Sequence, residues 1–139
     1  MEKKLIIPSI MLYIVSAITV LFGLVYLFTP KLMPYHEKFL GIPQKNLDPS
    51  VLKLFLFFLK GAGAAFLSVG ITLFMLVKGP FSRGDIWARR IIPVMTLVTL
   101  IPLFFITIKI GLYTPWWIIA IMILLVICSM YISKKNKNP

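Results

Sequence analysis

The sequence predicts an all-α membrane protein: four transmembrane helices in an antiparallel bundle, with a short interfacial amphipathic segment between helices 1 and 2. Three observations carry that prediction. Of the 139 residues, 60% are hydrophobic and 14% charged, against about 25% charged in an average soluble domain. The apolar residues gather into four long runs, each able to cross a hydrocarbon core of about 30 Å as a helix. Proline- and glycine-bearing breaks separate the runs, and most of the basic residues lie in those breaks or at the chain ends. A soluble chain of this length could not cover so much apolar surface, so a bilayer is its natural solvent and residues 1–139 read as one integral membrane domain.

The first run, 5–28, follows Met1-Glu2-Lys3-Lys4 and could imitate a secretory signal. It far exceeds the about 7–15 residues of a cleavable core, and Thr29-Pro30 stands where a small-residue cleavage site would be needed. It is read as helix 1, with Pro8 close enough to its start to be harmless.

Residues 29–50 form the longest polar segment, and its four prolines and one glycine rule out a continuous helix. Between Lys31 and Leu40, however, Leu32, Met33, His36, Phe39 and Leu40 recur at helical spacing while Lys31, Glu37 and Lys38 fall elsewhere. That pattern predicts a turn or two of amphipathic helix lying on the membrane surface. Asp48-Pro49 then supplies a carboxylate cap and a proline at the first helical position.

Helix 2 is predicted over 51–77, stopped by Lys78-Gly79-Pro80. The short turn through Arg83 and Asp85 makes helices 2 and 3 neighbours, with Asp85 placed to cap helix 3. Helix 3, 86–110, contains Pro93 and Pro102, each predicting a bend, with Thr96 and Thr99 at hand to satisfy freed backbone groups. Gly111 to Pro115 reads as a tight turn with Thr114 as cap. Helix 4, 115–133, carries Trp116, Trp117 and Tyr131 where interfacial aromatics belong. Cys128, the single cysteine, excludes an intrachain disulfide and reads as a small buried hydrophobe.

The net charge of +11 does not point to nucleic acid. The basic residues flank apolar runs, and no groove-reading or base-stacking motif accompanies them. They read as topology markers and as contacts to anionic lipid headgroups. One side of the membrane receives Lys3, Lys4, Lys78, Arg83, Arg89, Arg90, Lys134, Lys135 and Lys137. The other receives Lys31, Lys38, Lys45, Lys53 and Lys109. The richer side is expected to be the cytoplasm, with both termini inside, in a bacterial cytoplasmic (inner) membrane.

The constellations of catalysis are absent: one histidine, no acidic residue inside any span, no Ser/His/Asp set and no phosphate loop. Nothing calls for a cofactor, and His36 with Glu37 alone is too few ligands for a metal. Two places remain as candidates for ligand or lipid-headgroup contact. The first is Tyr35, His36, Glu37 and Lys38, where the imidazole titrates near neutrality. The second is Lys60, about 13 Å along helix 2 from Val51, a costly depth for a charge. It can act as a counter-charge to Glu37 or to an anionic ligand. Alternatively it can snorkel toward the helix N-terminus beside Lys53, seven residues earlier on the same stripe. Directly behind it, Gly61, Gly63, Ala64, Ala65, Ser68 and Gly70 form a small-residue patch for close helix packing, against another span or a second copy of the chain.

Two stretches, Leu21-Phe-Gly-Leu-Val-Tyr-Leu-Phe-Thr-Pro30 and Gly61-Ala-Gly-Ala-Ala-Phe-Leu-Ser-Val-Gly70, resemble the small four-helix bacterial inner-membrane proteins grouped as DoxX-like and related families. The resemblance implies a compact four-helix membrane bundle. It brings no quinone-related oxidation with it, because no residue here matches a redox site, and Lys60 has no counterpart in a family motif. The expected role is an accessory or binding protein, with two alternatives. One is a small oligomeric transporter or channel for an anionic or lipid-like substrate; the other is an intramembrane lipid-modifying enzyme using His36, Glu37 and Lys60. The expected partners are the bilayer, anionic lipid headgroups and a second copy or another membrane protein.

Overall fold

The computed structural model describes residues 5–135. Its helices are α1 (Ile6–Phe28), α2 (Pro34–Leu40), α3 (Pro49–Leu76), α4 (Ile86–Ile110) and α5 (Trp116–Lys135), and no strand occurs among the described residues. Four of them, α1, α3, α4 and α5, are long and apolar enough to cross a membrane. Lys3, Lys4 and Lys137, which enter the charge count above, lie outside the described residues.

Chain chemistry fixes the element ends. The Asp48 carboxylate accepts from the backbone N–H groups of Ser50 (2.8 Å) and Val51 (3.3 Å), so α3 begins two residues earlier than the apolar run itself suggests. At the other end of α3, Lys78-Gly79-Pro80 does not stop the chain. The helix widens into a π turn, Val77–Phe81, in which the Ser82 and Asp85 N–H groups each reach back five residues. Pro80 has no N–H to give, and the fully buried Phe81 side chain holds the widened turn against the core.

Four local expectations are corrected. Asp85 makes no side-chain cap to α4; its carboxylate lies 3.9 Å from Arg83 instead. The Thr114 hydroxyl does not cap α5 but donates back to the carbonyls of Thr107 and Gly111, closing the end of α4. Thr96 and Thr99 donate to Ile92 and Met95, not to the carbonyls of Arg89 and Val98 that Pro93 and Pro102 leave without helix donors, and α4 runs on through both prolines. Cys128 is exposed on α5 rather than buried.

The most extensive contact joins α1 to α3. Tyr13 meets Phe74, the Ser16 hydroxyl donates to the Gly70 carbonyl at 2.8 Å, and Tyr26 meets Phe66. The two backbones touch because both helices drop their side chains at the crossing. A Cβ added at Gly63 would fall 2.5 Å from the Leu27 nitrogen, and one at Gly23 would fall 2.7 Å from the Leu67 nitrogen. Helix α5 packs on both α1 and α4, and its Ser129 hydroxyl donates to the Pro8 carbonyl at 2.9 Å.

The buried core is built from Leu12 and Val15, from Val77 and Phe81 of the π turn, and from Ile92, Leu100, Met122 and Val126. From α3 it takes only Leu73. Helix α3 therefore packs chiefly on α1 and touches α4 sparsely. This leaves a recess between α3 and α4, and α2 sits over it.

Candidate functional site

The recess begins with how residues 29–48 are tied down. Thr29 ends α1, its hydroxyl donating to the Lys31 carbonyl at 2.8 Å. Pro34 sets the first turn of α2, and Gly41, at φ 66°, ends it in the left-handed conformation that glycine adopts without penalty. Gln44 then closes the loop upon itself. Its side-chain carbonyl accepts from the Leu32 N–H at 2.7 Å, and its own backbone N–H donates to the Glu37 carboxylate at 2.9 Å. Glu37 is thus a fastener of the loop.

Two further side chains of α2 anchor it, one to α1 and one to the α4–α5 turn. The Tyr35 hydroxyl bonds the Tyr26 hydroxyl of α1 at 2.9 Å, and the Tyr26 ring meets that of Phe66 in α3 at a tilt. The Lys38 ammonium sits 4.1 Å above the Tyr113 ring at the α4–α5 turn, a cation–π contact. His36 packs edge-on against Tyr35, with ring centroids 4.4 Å apart.

Beneath α2 lies a pocket of about 370 Å³, within the range of about 300–1,000 Å³ typical of small-molecule sites. Its walls are Leu32, Phe39 and Leu40 from the α2 segment and Phe55, Phe58 and Ala62 from α3. The single titratable side chain lining it is His36. The His36 Nδ1 is buried and has no hydrogen-bond partner among the described residues. Burial pushes the imidazole below its ordinary pKa, so at neutral pH the pocket holds a neutral ring with an unused polar atom. Burial, the hydrogen bond to Tyr26 and the charge that Tyr26 would carry hold the Tyr35 phenol well above its usual range. Neither group brings a charge into the pocket.

Of the residues singled out from sequence, Tyr35, His36 and Glu37 share α2, and only His36 opens into the pocket. Lys60 does not join them. It is exposed, forms no ion pair with Glu37, and lies about 140° around the helix from the pocket-lining Phe55. Lys53 is exposed too, its ammonium 5.7 Å from the Phe57 ring.

The small-residue patch divides into two faces. Gly63 and Gly70 are buried against α1, whereas Gly61, Ala64, Ala65 and Ser68 are exposed, and a Cβ at Gly61 would meet nothing within 4 Å. Within the chain, close packing belongs to the seven-residue spacing of Gly63 and Gly70, which answers the same spacing of Ser16 and Gly23 on α1. It does not use the Gly61–Ala65 spacing.

No family model, curated protein or solved structure matches this chain. The geometry of the site therefore carries the functional argument.

Sequence reasoning missed Gln44, Tyr26 and the wall residues Phe58 and Ala62. Nothing local marks a glutamine that bonds in two directions, and Tyr26 lies inside an apolar run. Ala62 stands among glycines and alanines that look alike until the helix phase is known. No group of three or more His, Cys, Asp or Glu side chains suited to a metal occurs among the described residues.

Proposed function

We propose that this is a multi-pass protein of a bacterial cytoplasmic membrane that binds an amphiphile without chemically altering it. One apolar chain lies in the pocket beneath α2, and a small polar group at its end meets His36. In this reading the long helices form an antiparallel bundle with both termini in the cytoplasm. Helix α2 then lies at the outer interface, and the Lys60 stem leads its ammonium toward the outer headgroups.

The observation that carries the reading is the apolar pocket with His36 in its lining, a neutral ring whose buried Nδ1 has no partner among the described residues. Membrane residence is supported by large exposed apolar side chains on every long helix, among them Ile10, Met75, Val98 and Leu124. On a soluble molecule they would form patches that drive association. The distribution of basic residues supports the orientation.

Lipid tails are as apolar as leucine, so a chain moving from bilayer to pocket gains little from the hydrophobic effect. Preference for one ligand must come from shape and from the hydrogen bond at His36, which an unsatisfied buried polar atom makes favourable. In this reading the chain enters sideways from the bilayer between α3 and α4, whose mutual contact is sparse. Catalysis by His36, Glu37 and Lys60 has no such support, because Glu37 is taken up by Gln44 and Lys60 faces elsewhere.

A photoreactive long-chain alcohol carrying a diazirine tests the proposal in membranes. Crosslinks concentrated on Phe55, Phe58, Leu59 and Ala62, and lost in Ala62→Trp, are the expected result. Labelling spread evenly over bilayer-facing positions such as Val94, Val98 and Ile101, unchanged by Ala62→Trp, would remove it.

A further inference from the structure

At the end of the molecule opposite α2, the first turns of α4 and the last turns of α5 enclose a cleft of about 590 Å³. Its polar lining consists of Arg89, Arg90, Ser133 and Lys134, and Pro93 and Met130 form part of its apolar floor. The α2 pocket, by contrast, is lined almost wholly by apolar atoms.

Two buried donors in this cleft lack acceptors. Arg89 uses one guanidinium nitrogen, Nη1, on the Ser133 carbonyl at 3.2 Å, which secures the end of α5. Its Nε is buried and has no partner among the described residues. The Ser133 side chain is 1% exposed, and its hydroxyl likewise has no partner. A serine in a helix commonly returns its hydroxyl to a carbonyl one turn back, as Thr96 and Thr107 do here. Ser133 does not. No described carboxylate answers these charges: Asp85 is the acidic side chain nearest in sequence, and its ion pair is with Arg83.

We propose that the cleft is a phosphate site that holds the headgroup phosphodiester of an anionic phospholipid. Arg89 Nε and the Ser133 hydroxyl donate to the phosphate oxygens, while Arg90 and Lys134 supply charge at the rim. A phosphate suits this donor set, because its several oxygens accept from the planar guanidinium and a hydroxyl together. The floor of Pro93 and Met130 favours a lipid over a free anion, since it offers apolar surface to the part of the molecule beyond the phosphate. The position suits the inner leaflet, where anionic lipids collect against basic segments next to a helix end. This site is separate from the α2 pocket and stands whether or not that pocket binds a chain.

The test is native mass spectrometry after reconstitution into equimolar phosphatidylglycerol and phosphatidylcholine. The wild-type chain is expected to retain one phosphatidylglycerol in preference to phosphatidylcholine. Arg89→Gln is expected to lower that preference at least about tenfold, as loss of a charge-assisted hydrogen bond does. Ser133→Ala keeps the carbonyl that Arg89 holds, so it separates the headgroup contact from the fold; a loss of about threefold or more is expected. Equal retention of both lipids, or a preference unchanged in Ser133→Ala and Arg89→Gln, would overturn the proposal. Release of the bound lipid by inorganic phosphate at low millimolar concentration would also overturn it, assigning the cleft to a soluble anion.

Discussion

The α1–α3 crossing makes a prediction that separates two glycines only two residues apart. At Gly63 an added Cβ meets backbone on three sides: the Leu27 nitrogen at 2.5 Å, the Gly23 carbonyl at 2.8 Å and the Leu27 Cα at 3.0 Å. None of these can rotate away, so Gly63→Ala must push the two helices apart along their most extensive contact. Overpacking of this kind costs about 1–3 kcal/mol, partly offset by the roughly 1 kcal/mol that alanine gains over glycine inside a helix. At Gly61 the added methyl meets nothing within 4 Å, so only the helix-propensity gain remains. Gly63→Ala should therefore destabilise by about 0–2 kcal/mol, Gly61→Ala should be neutral or slightly stabilising, and the two variants should differ by the overpacking cost of about 1–3 kcal/mol. Reversible unfolding in mixed micelles, followed by the fluorescence of Trp87, Trp116 and Trp117, reads both. If Gly63→Ala is as stable as Gly61→Ala, the close approach of α1 and α3 is wrong.

Two further predictions concern the segment over the pocket. Gln44→Ala removes the acceptor for the Leu32 N–H, which should cost about 1 kcal/mol and raise amide exchange across residues 31–47 without changing exchange in α4 or α5; unaltered exchange there would count against the clip. His36 is held below its ordinary pKa in the docked state, so protons bind the undocked segment more readily. Docking of α2 is then fully stabilised above about pH 6.5, the ordinary histidine value, and weakens as pH falls from there toward the lowered value. Exchange protection of residues 34–40 should drop over that window in the wild type and stay level in His36→Gln; a matching drop in both proteins would take the effect away from His36.

What the sequence disclosed follows physical range. The four spans depend on composition summed over twenty or more residues, and their limits emerge within about two residues except at the end of α3, where the helical path continues through Phe81. The Asp48-Pro49 start of α3 is a local cap, and it appears as read. The π turn is not local. Lys78-Gly79-Pro80 carries every mark of a stop, and only the burial of Phe81 by distant helices draws the chain onward. Thr114 and Asp85 have the right residue type for caps, but a better acceptor or a nearer charge engages each. The cluster at residues 35–38 was legible as polar chemistry on an amphipathic segment. That His36 alone would face the pocket, with Glu37 turned to Gln44, depends on a loop closure no pattern encodes. Arg89 and Ser133 are 44 residues apart and meet only through the packing of α4 on α5.

The central claim is that the α2 pocket is occupied by one apolar chain. The most direct measurement is a high-resolution structure of the protein in a lipid nanodisc. The account predicts elongated density entering between α3 and α4, passing Phe58 and Ala62, and ending within hydrogen-bond distance of His36 Nδ1. A pocket collapsed by inward movement of Phe39 and Phe58, with His36 Nδ1 bonded to the protein itself, would contradict it.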